Sequence, residues 1–165
     1  ARIEKSNTVS EDMIPDMRPP HVLRFIKGPE YEHFEPESIG SLFEKNTFSC
    51  YNVSSKSNRT GIRLEGVPLL FKAGVEKSII SEGVLPGTIQ IPGDGLPIIV
   101  LNERTIGGYA RLGVILRADR DCLAHLKPGD EVMFSMVNEN DAEQLGNKRT
   151  MIYNVYTKTT QEVPK

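Results

Sequence analysis

The sequence predicts a mainly β fold: a barrel of seven or eight short strands with two or three helices of one or two turns. Three observations carry this. Short runs in which apolar and polar residues alternate recur from Val22 to Met136, and a period of two places every second side chain on one face of a strand. Glycines and prolines stand between those runs, as in Gly28-Pro29, Pro86-Gly87, Pro92-Gly93 and Pro128-Gly129, where they mark turns. Helical spacing is confined to brief stretches.

Residues 1–20, ARIEKSNTVSEDMIPDMRPP, are polar, charged and proline-bearing. They read as a linker without the apolar core of a signal peptide. Ala1 stands where Met would open a whole chain, so a chain cut from something longer is expected. Val22 to Lys27, with Val22, Phe25 and Ile26 apolar, is expected as a strand closed by Gly28-Pro29. Pro36 then precedes Ser38 to Lys45, where Ile39, Leu42 and Phe43 at i, i+3 and i+4 make one face of a short helix. Thr47 to Val53 turns β-like, and Ser54 to Asn58 is a polar loop. Arg59 to Glu65 alternates, with Gly61, Arg63 and Glu65 on one face and Ile62 and Leu64 on the other.

Thr88 to Ile91 sends Ile89 and Ile91 to the core and Thr88 and Gln90 the opposite way. Leu96 to Leu101 is a continuous apolar run, as in a central strand buried on both faces. Arg111 to Arg117 alternates with Leu112, Val114 and Leu116 inward. Asp119 is the expected N-cap of a helix from Arg120 to His125, which Lys127-Pro128-Gly129-Asp130 stops. Glu131 to Met136 returns to strand, Asn138 or Asn140 caps a helix from Asp141 to Leu145, and Met151 to Tyr156 reads as a last strand. The domain is expected over residues 21–140, with 141–165 a C-terminal helix, strand and frayed tail.

Composition removes several functions. The 165 residues carry 20 basic and 22 acidic side chains, a formal charge of −2 with no basic run interleaved with aromatics, so a nucleic-acid partner is not expected. The longest apolar runs, Val67 to Phe71 and Leu96 to Leu101, fall far short of the ~20 residues of a membrane helix. Cys50 and Cys122 belong to no CxxC or Cys/His cluster and read as reduced thiols of a cytoplasmic protein. His21, His33 and His125 have no metal-building spacing and read as surface or packing residues; no metal is expected. GxxxxGK[ST], strand-borne GxGxxG and GxSxG motifs are all missing.

Site character concentrates in Ser81 to Leu101, where Gly83, Gly87, Gly93 and Gly95 alternate with Pro86, Pro92 and Pro97 around one short strand, and in Arg104 to Tyr109. Both shape backbone for close approach to a ligand. Arg59 and Arg63 are the anion-binding candidates, because guanidinium matches a carboxylate, carbamate or phosphate; the plainer role for Arg63 is an exposed pair with Glu65. Glu82 follows Ile79-Ile80, and burial there would raise its pKa toward acid–base use; alternatively it accepts backbone N–H groups in a tight loop. Gln90 offers a donor and an acceptor to an amide. Asp94, between glycines, reads as a turn residue. Gly107 and Gly108 let backbone approach a ligand closely, with Thr105 close by. Tyr109 covers either a ligand or the core.

Longer stretches carry a resemblance. Leu23 to Pro29 with Phe34, Ser57 to Gly66, Ser81 to Pro92, Asp94 to Ile98, Gly107-Gly108-Tyr109 and Leu126 to Asp130 are similar to the biotin-dependent carboxyltransferase family of the allophanate hydrolase subunit 2 type. That family includes the C subunit of 5-oxoprolinase and an antagonist of a sporulation kinase inhibitor. The resemblance spans about Val22 to Asn140 and implies a cyclophilin-like β-barrel. It also implies a companion of the allophanate hydrolase subunit 1 type, a lamB-type third subunit in the 5-oxoprolinase form, and a small amide or ureido substrate. ATP would be used by the complex, and biotin only by a urea carboxylase-type member. Full-length members carry an N-terminal half that this chain lacks, so it resembles their C-terminal portion. On this pattern Arg59 or Arg63 holds an anion, Gln90 and Thr105 bond the amide, and Glu82 transfers a proton or organises a loop. The rivals are a urea-type carboxyltransferase component and a non-catalytic regulator. Ile106, Ala110 and Leu96 replace a threonine, a proline and a glutamine usual in the family, each change removing polarity or rigidity near the site.

Overall fold

A computed structural model describes residues 18–43, 50–101, 106–147 and 150–151. Eight strands follow in chain order: β1 (His21–Lys27), β2 (Tyr51–Val53), β3 (Gly61–Glu65), β4 (Ser78–Gly83), β5 (Thr88–Ile91), β6 (Ile98–Val100), β7 (Ile106–Ile115) and β8 (Glu131–Met136). Among them lie helices α1 (Pro36–Ser41) and α2 (Arg120–Leu123), and α3 occupies 139–147. Hydrogen bonding runs β1-β8-β2-β3-β6-β5-β7, and β7 pairs back onto β1. The result is a closed mainly β barrel of seven strands, with β4 added to the front half of β7. The β1–β8 pair is parallel and the others are antiparallel.

Closure follows from alternation. In β1 the inward residues His21, Leu23 and Phe25 are buried while Val22 and Arg24 face outward. Ile62 and Leu64 fill the same interior from β3, Ile89 and Ile91 from β5, Ile99 from β6 and Val132 and Phe134 from β8. Each such side chain stabilises the fold by about 1.5–3 kcal/mol relative to exposure. Below them α1 and the residue that caps it supply Ile39 and Leu42, and α2 supplies Cys122 and Leu123. β6 lies between β3 and β5, as its apolar run predicts. Residues 44–49, which hold the end of the first expected helix and the start of the next strand, lie outside the described residues.

Three local expectations differ from the structure. The inward phase of β7 is not Leu112, Val114, Leu116 throughout: pairing with β5 shifts between Ile89↔Gly113 and Gln90↔Arg111, leaving Leu112 as the additional residue of a bulge. Past that bulge Gly113 and Ile115 take the inner side, and Val114 is half-buried. Asp119 stands at the N-cap position of α2 without capping it. Its carboxylate instead accepts from the backbone N–H of Arg24 at 2.8 Å and from its Nε at 2.9 Å, a charge-assisted partner outcompeting a helix amide. That bond also raises the Arg24 pKa. Asn138 is the cap of α3, its Oδ1 accepting from Asp141 N–H at 2.8 Å. Met151 is helical, not the start of a strand, and 152–165 lie outside the described residues, as do 1–17.

Candidate functional site

Gln90 occupies β5 between Ile89 and Ile91, both fully buried in the barrel. Its own side chain takes the opposite face, as alternation predicts, yet it is only 4% exposed and its Nε2 has no hydrogen-bond partner among the described residues. An amide donor buried without a partner costs about 1–3 kcal/mol, so it marks a place where a partner is wanted. Gly107 of β7 makes the arrangement possible. A Cβ there would sit 2.1 Å from Gln90 Nε2, so the amide lies directly on the glycine backbone. The loop leaving β5 is fixed as well. Gly95 has φ +79°, and a Cβ on it would come 2.4 Å from the carbonyl oxygen of Leu69; Asp94 Oδ1 accepts from Leu96 N–H at 3.1 Å, the expected turn.

Beside Gln90 lies an arginine between two acids. Arg111 is the register partner of Gln90 across β5 and β7, so the two share a face with Cβ atoms about 5 Å apart. Arg111 Nε donates to Glu30 Oε2 at 2.7 Å and Nη2 donates to Glu30 Oε1 at 2.7 Å, a bidentate fork. The Arg111 backbone N–H reaches the same carboxylate at 3.1 Å. Nη1 donates to Glu82 Oε1. The Arg111 fork holds the Glu30 carboxyl below the usual range against the opposing effect of burial, and the Glu30 bond raises the Arg111 pKa. Glu82 reaches the cluster because β4 pairs with β7 at Glu82↔Gly107.

Gln90, Glu82, Gly107 and Arg111 are therefore brought together on one face. Glu82 differs from expectation in its surroundings: it sits in a strand, its side chain 53% exposed and paired with Arg111, because β4 packs against β7 along one edge only. Arg63 lies in the same row, since Arg63↔Ile98 and Gln90↔Ile98 are both register pairs; two strand spacings put it about 10 Å from Gln90. It does not pair with Glu65, whose Oε1 accepts from Ser54 Oγ. Arg59 projects from the exposed loop before β3. Gly108 backs onto β4, where a Cβ would meet Ser81 Oγ at 3.0 Å. Tyr109 is 44% exposed on the site's face, which removes it from the core. Thr105 lies outside the described residues.

Sequence reasoning missed Glu30 and Arg111. Arg111 shares odd parity with Gly107 and Tyr109 along one run, a signal that was legible; Glu30 follows Gly28-Pro29 with nothing to tie it to a residue 81 positions on. Among the described residues no group of three or more His, Cys, Asp or Glu is placed to hold a metal ion. His21 is buried, its Nε2 3.8 Å from Asp130 Oδ2. No described helix is long and apolar enough to cross a membrane.

Comparison with known proteins gives concordant matches. Residues 2–136 match the family described as carboxyltransferase domain, subdomain A and B. The chain is 35% identical over 121 residues to the 5-oxoprolinase C subunit of Escherichia coli, covering 73% of this chain and 37% of that one. It is 29% identical over 128 residues to the protein of the same name from Haemophilus influenzae, covering 77% and 40%. Among solved structures, the urea amidolyase of K. lactis superposes with a TM-score of 0.68 at 25% identity over 81% of this chain and 8% of that one. The chain thus spans about two fifths of the length of the two 5-oxoprolinase relatives it matches.

Proposed function

The chain belongs to the carboxyltransferase-domain family, subdomains A and B, and from that premise we propose that it is a portion of one subunit in a multi-subunit, ATP-dependent, amide-cleaving enzyme that opens 5-oxoproline to glutamate. The identity with the 5-oxoprolinase C subunit over 73% of the chain supports the system. The single structural observation that supports the chemistry is the buried, unpartnered Gln90 Nε2. A lactam carbonyl supplies the acceptor that this donor lacks, and the bond strengthens as negative charge grows on that oxygen during attack. Water adds across the lactam C–N bond, giving a carboxylate and an amine, with ATP hydrolysed by the assembly. Gly107 keeps a side chain out of the approach, Tyr109 borders it, and Arg63 holds an anion at the end of the row. ATP contacts are assigned to companions of the allophanate hydrolase subunit 1 and lamB types, because this chain has no phosphate loop motif.

One observation favours a second reading. The superposition on a urea amidolyase covers 81% of the chain, and a ureido carbonyl suits Gln90 Nε2 as a lactam carbonyl does. In a urea carboxylase-type complex Gln90 would hold the ureido ring of biotin, which when bound supplies carboxyl transfer.

The test is ATP-dependent glutamate release from 5-oxoproline by the full-length protein assembled with its companions. Release that requires this protein is the expected result. No release from an ATP-competent assembly, with carboxylation of urea in its place, overturns it in favour of the second reading.

A further inference from the structure

Resting on the reading above, in which the ligand carries an amide or ureido carbonyl, we infer that Arg111 anchors that ligand's carboxylate. Glu30 positions Arg111 for the task, and Glu82 is an internal carboxylate that the ligand displaces. The two acids differ in kind. Glu30 is almost wholly withdrawn from solvent, its side chain 11% exposed, and grips Arg111 through both oxygens and the backbone N–H. Such a clamp removes the rotamer freedom an arginine otherwise loses on binding. Glu82 touches only the remaining Nη1 and is 53% exposed, so its carboxylate can swing into water with little loss.

The charge count points the same way. One guanidinium faces two carboxylates, and a structural pair needs one. The second occupies the position a ligand carboxylate would take, beside a donor that has no partner among the described residues. Gln90 and Arg111 are direct register partners, so a small molecule with a carbonyl and a carboxylate a few bonds apart spans both. The requirement favours lactam or ureido acids over neutral amides, which keep the carbonyl contact and lack the anchor. Arg59 and Arg63, favoured by sequence, are exposed and lack a positioning acid among the described residues.

The test measures calorimetric binding to the assembled full-length complex of 5-oxoproline, of N-carbamoylglycine as a ureido acid, and of 2-pyrrolidinone, the same lactam without a carboxylate. Arg111→Gln is expected to weaken the acids about 10- to 100-fold, the loss of charge-assisted bonds, and to leave 2-pyrrolidinone unchanged. Glu82→Gln, on a half-exposed site where folding is not threatened, is expected to tighten the acids about two- to fivefold. Equal weakening of acids and 2-pyrrolidinone in Arg111→Gln, or unchanged acid binding in Glu82→Gln, overturns the anchor. Binding of N-carbamoylglycine alone with this Arg111 dependence keeps the anchor and overturns the 5-oxoprolinase reading. Binding of neither acid by the wild-type complex overturns both.

Discussion

Replacing Gly107 with Ala adds one methyl group where the structure has no room for it. The new Cβ would lie 2.1 Å from Gln90 Nε2, 2.9 Å from Cδ and 3.0 Å from Oε1, whereas comfortable heavy-atom contacts begin near ~3.5 Å. The amide must therefore retreat by about 1.5 Å. The three nearest atoms all belong to the far end of one side chain, so that side chain can yield before the backbone does. An off-rotamer glutamine costs about 0.5–1.5 kcal/mol, and overpacking in general about 1–3 kcal/mol; we expect a loss of about 1–2 kcal/mol, or roughly 3–6 °C in Tm for a chain of this size. Turnover should suffer more, by about 100-fold, because a donor displaced by an ångström no longer meets its acceptor. Thermal unfolding and steady-state turnover of the full-length protein in its complex measure the two effects. Gln90→Ala in the same chain removes the obstructed atoms, so Gly107→Ala should cost at least about 1 kcal/mol less in that background while turnover stays low. An equal stability loss with and without Gln90 would show that the methyl strikes something other than the amide. Unchanged turnover in the single variant would refute the role of Gln90 altogether.

Three further perturbations separate fold from site. Gly95→Ala forces a Cβ into a backbone with φ +79° and within 2.4 Å of a carbonyl oxygen; chemical denaturation should show a loss of about 3 kcal/mol or more. Glu30, whose pKa is held below its ordinary value of 4.5 chiefly by its bonds to Arg111, contributes stability that is present above its unfolded pKa and is lost as pH falls through the folded one. The Tm gap between wild type and Glu30→Gln should therefore be widest above about pH 5 and close as pH drops below that ordinary value; a gap independent of pH would deny the linkage. Arg63→Ala should reduce turnover of the complex about tenfold while leaving Tm within about 1 °C, as expected for an exposed side chain, and unchanged turnover would remove Arg63 from the site.

The elements that sequence describes well are those whose reason is local. Ile62 and Leu64 against Arg63 and Glu65, or Ile89 and Ile91 against Gln90, declare their faces by alternation alone, and Asp94 declares its turn by its glycine neighbours. What stays hidden depends on partners remote in the chain. Asp119 looks like a cap from its position, and only the fold brings in Arg24 from 95 residues away. The bulge at Leu112 inverts a phase that period-two counting carries straight through. The apolar neighbours of Glu82 point to burial, but Ile80 is itself largely exposed, since β4 has one paired edge. Arg111 reads as no more than the first residue of an alternating run, and its role emerges only when Glu30 closes on it across the barrel seam.

The parallel pairing of β1 and β8 has a consequence of parity. Around a closed ring each antiparallel neighbour reverses direction, so the number of reversals must be even; seven strands therefore require a parallel step, and it falls between the first and last strands. Those two strands consequently start at one mouth of the cylinder and finish at the other. Glu30 lies just past the end of β1 and α3 just past the end of β8, so the chain leaves the barrel beside the Glu30 side of the cluster and enters it at the far mouth. A fluorophore attached at the exposed Val22, near the start of β1, is thus kept a barrel's length from that cluster, whereas one attached at the start of α3 is brought to its doorstep.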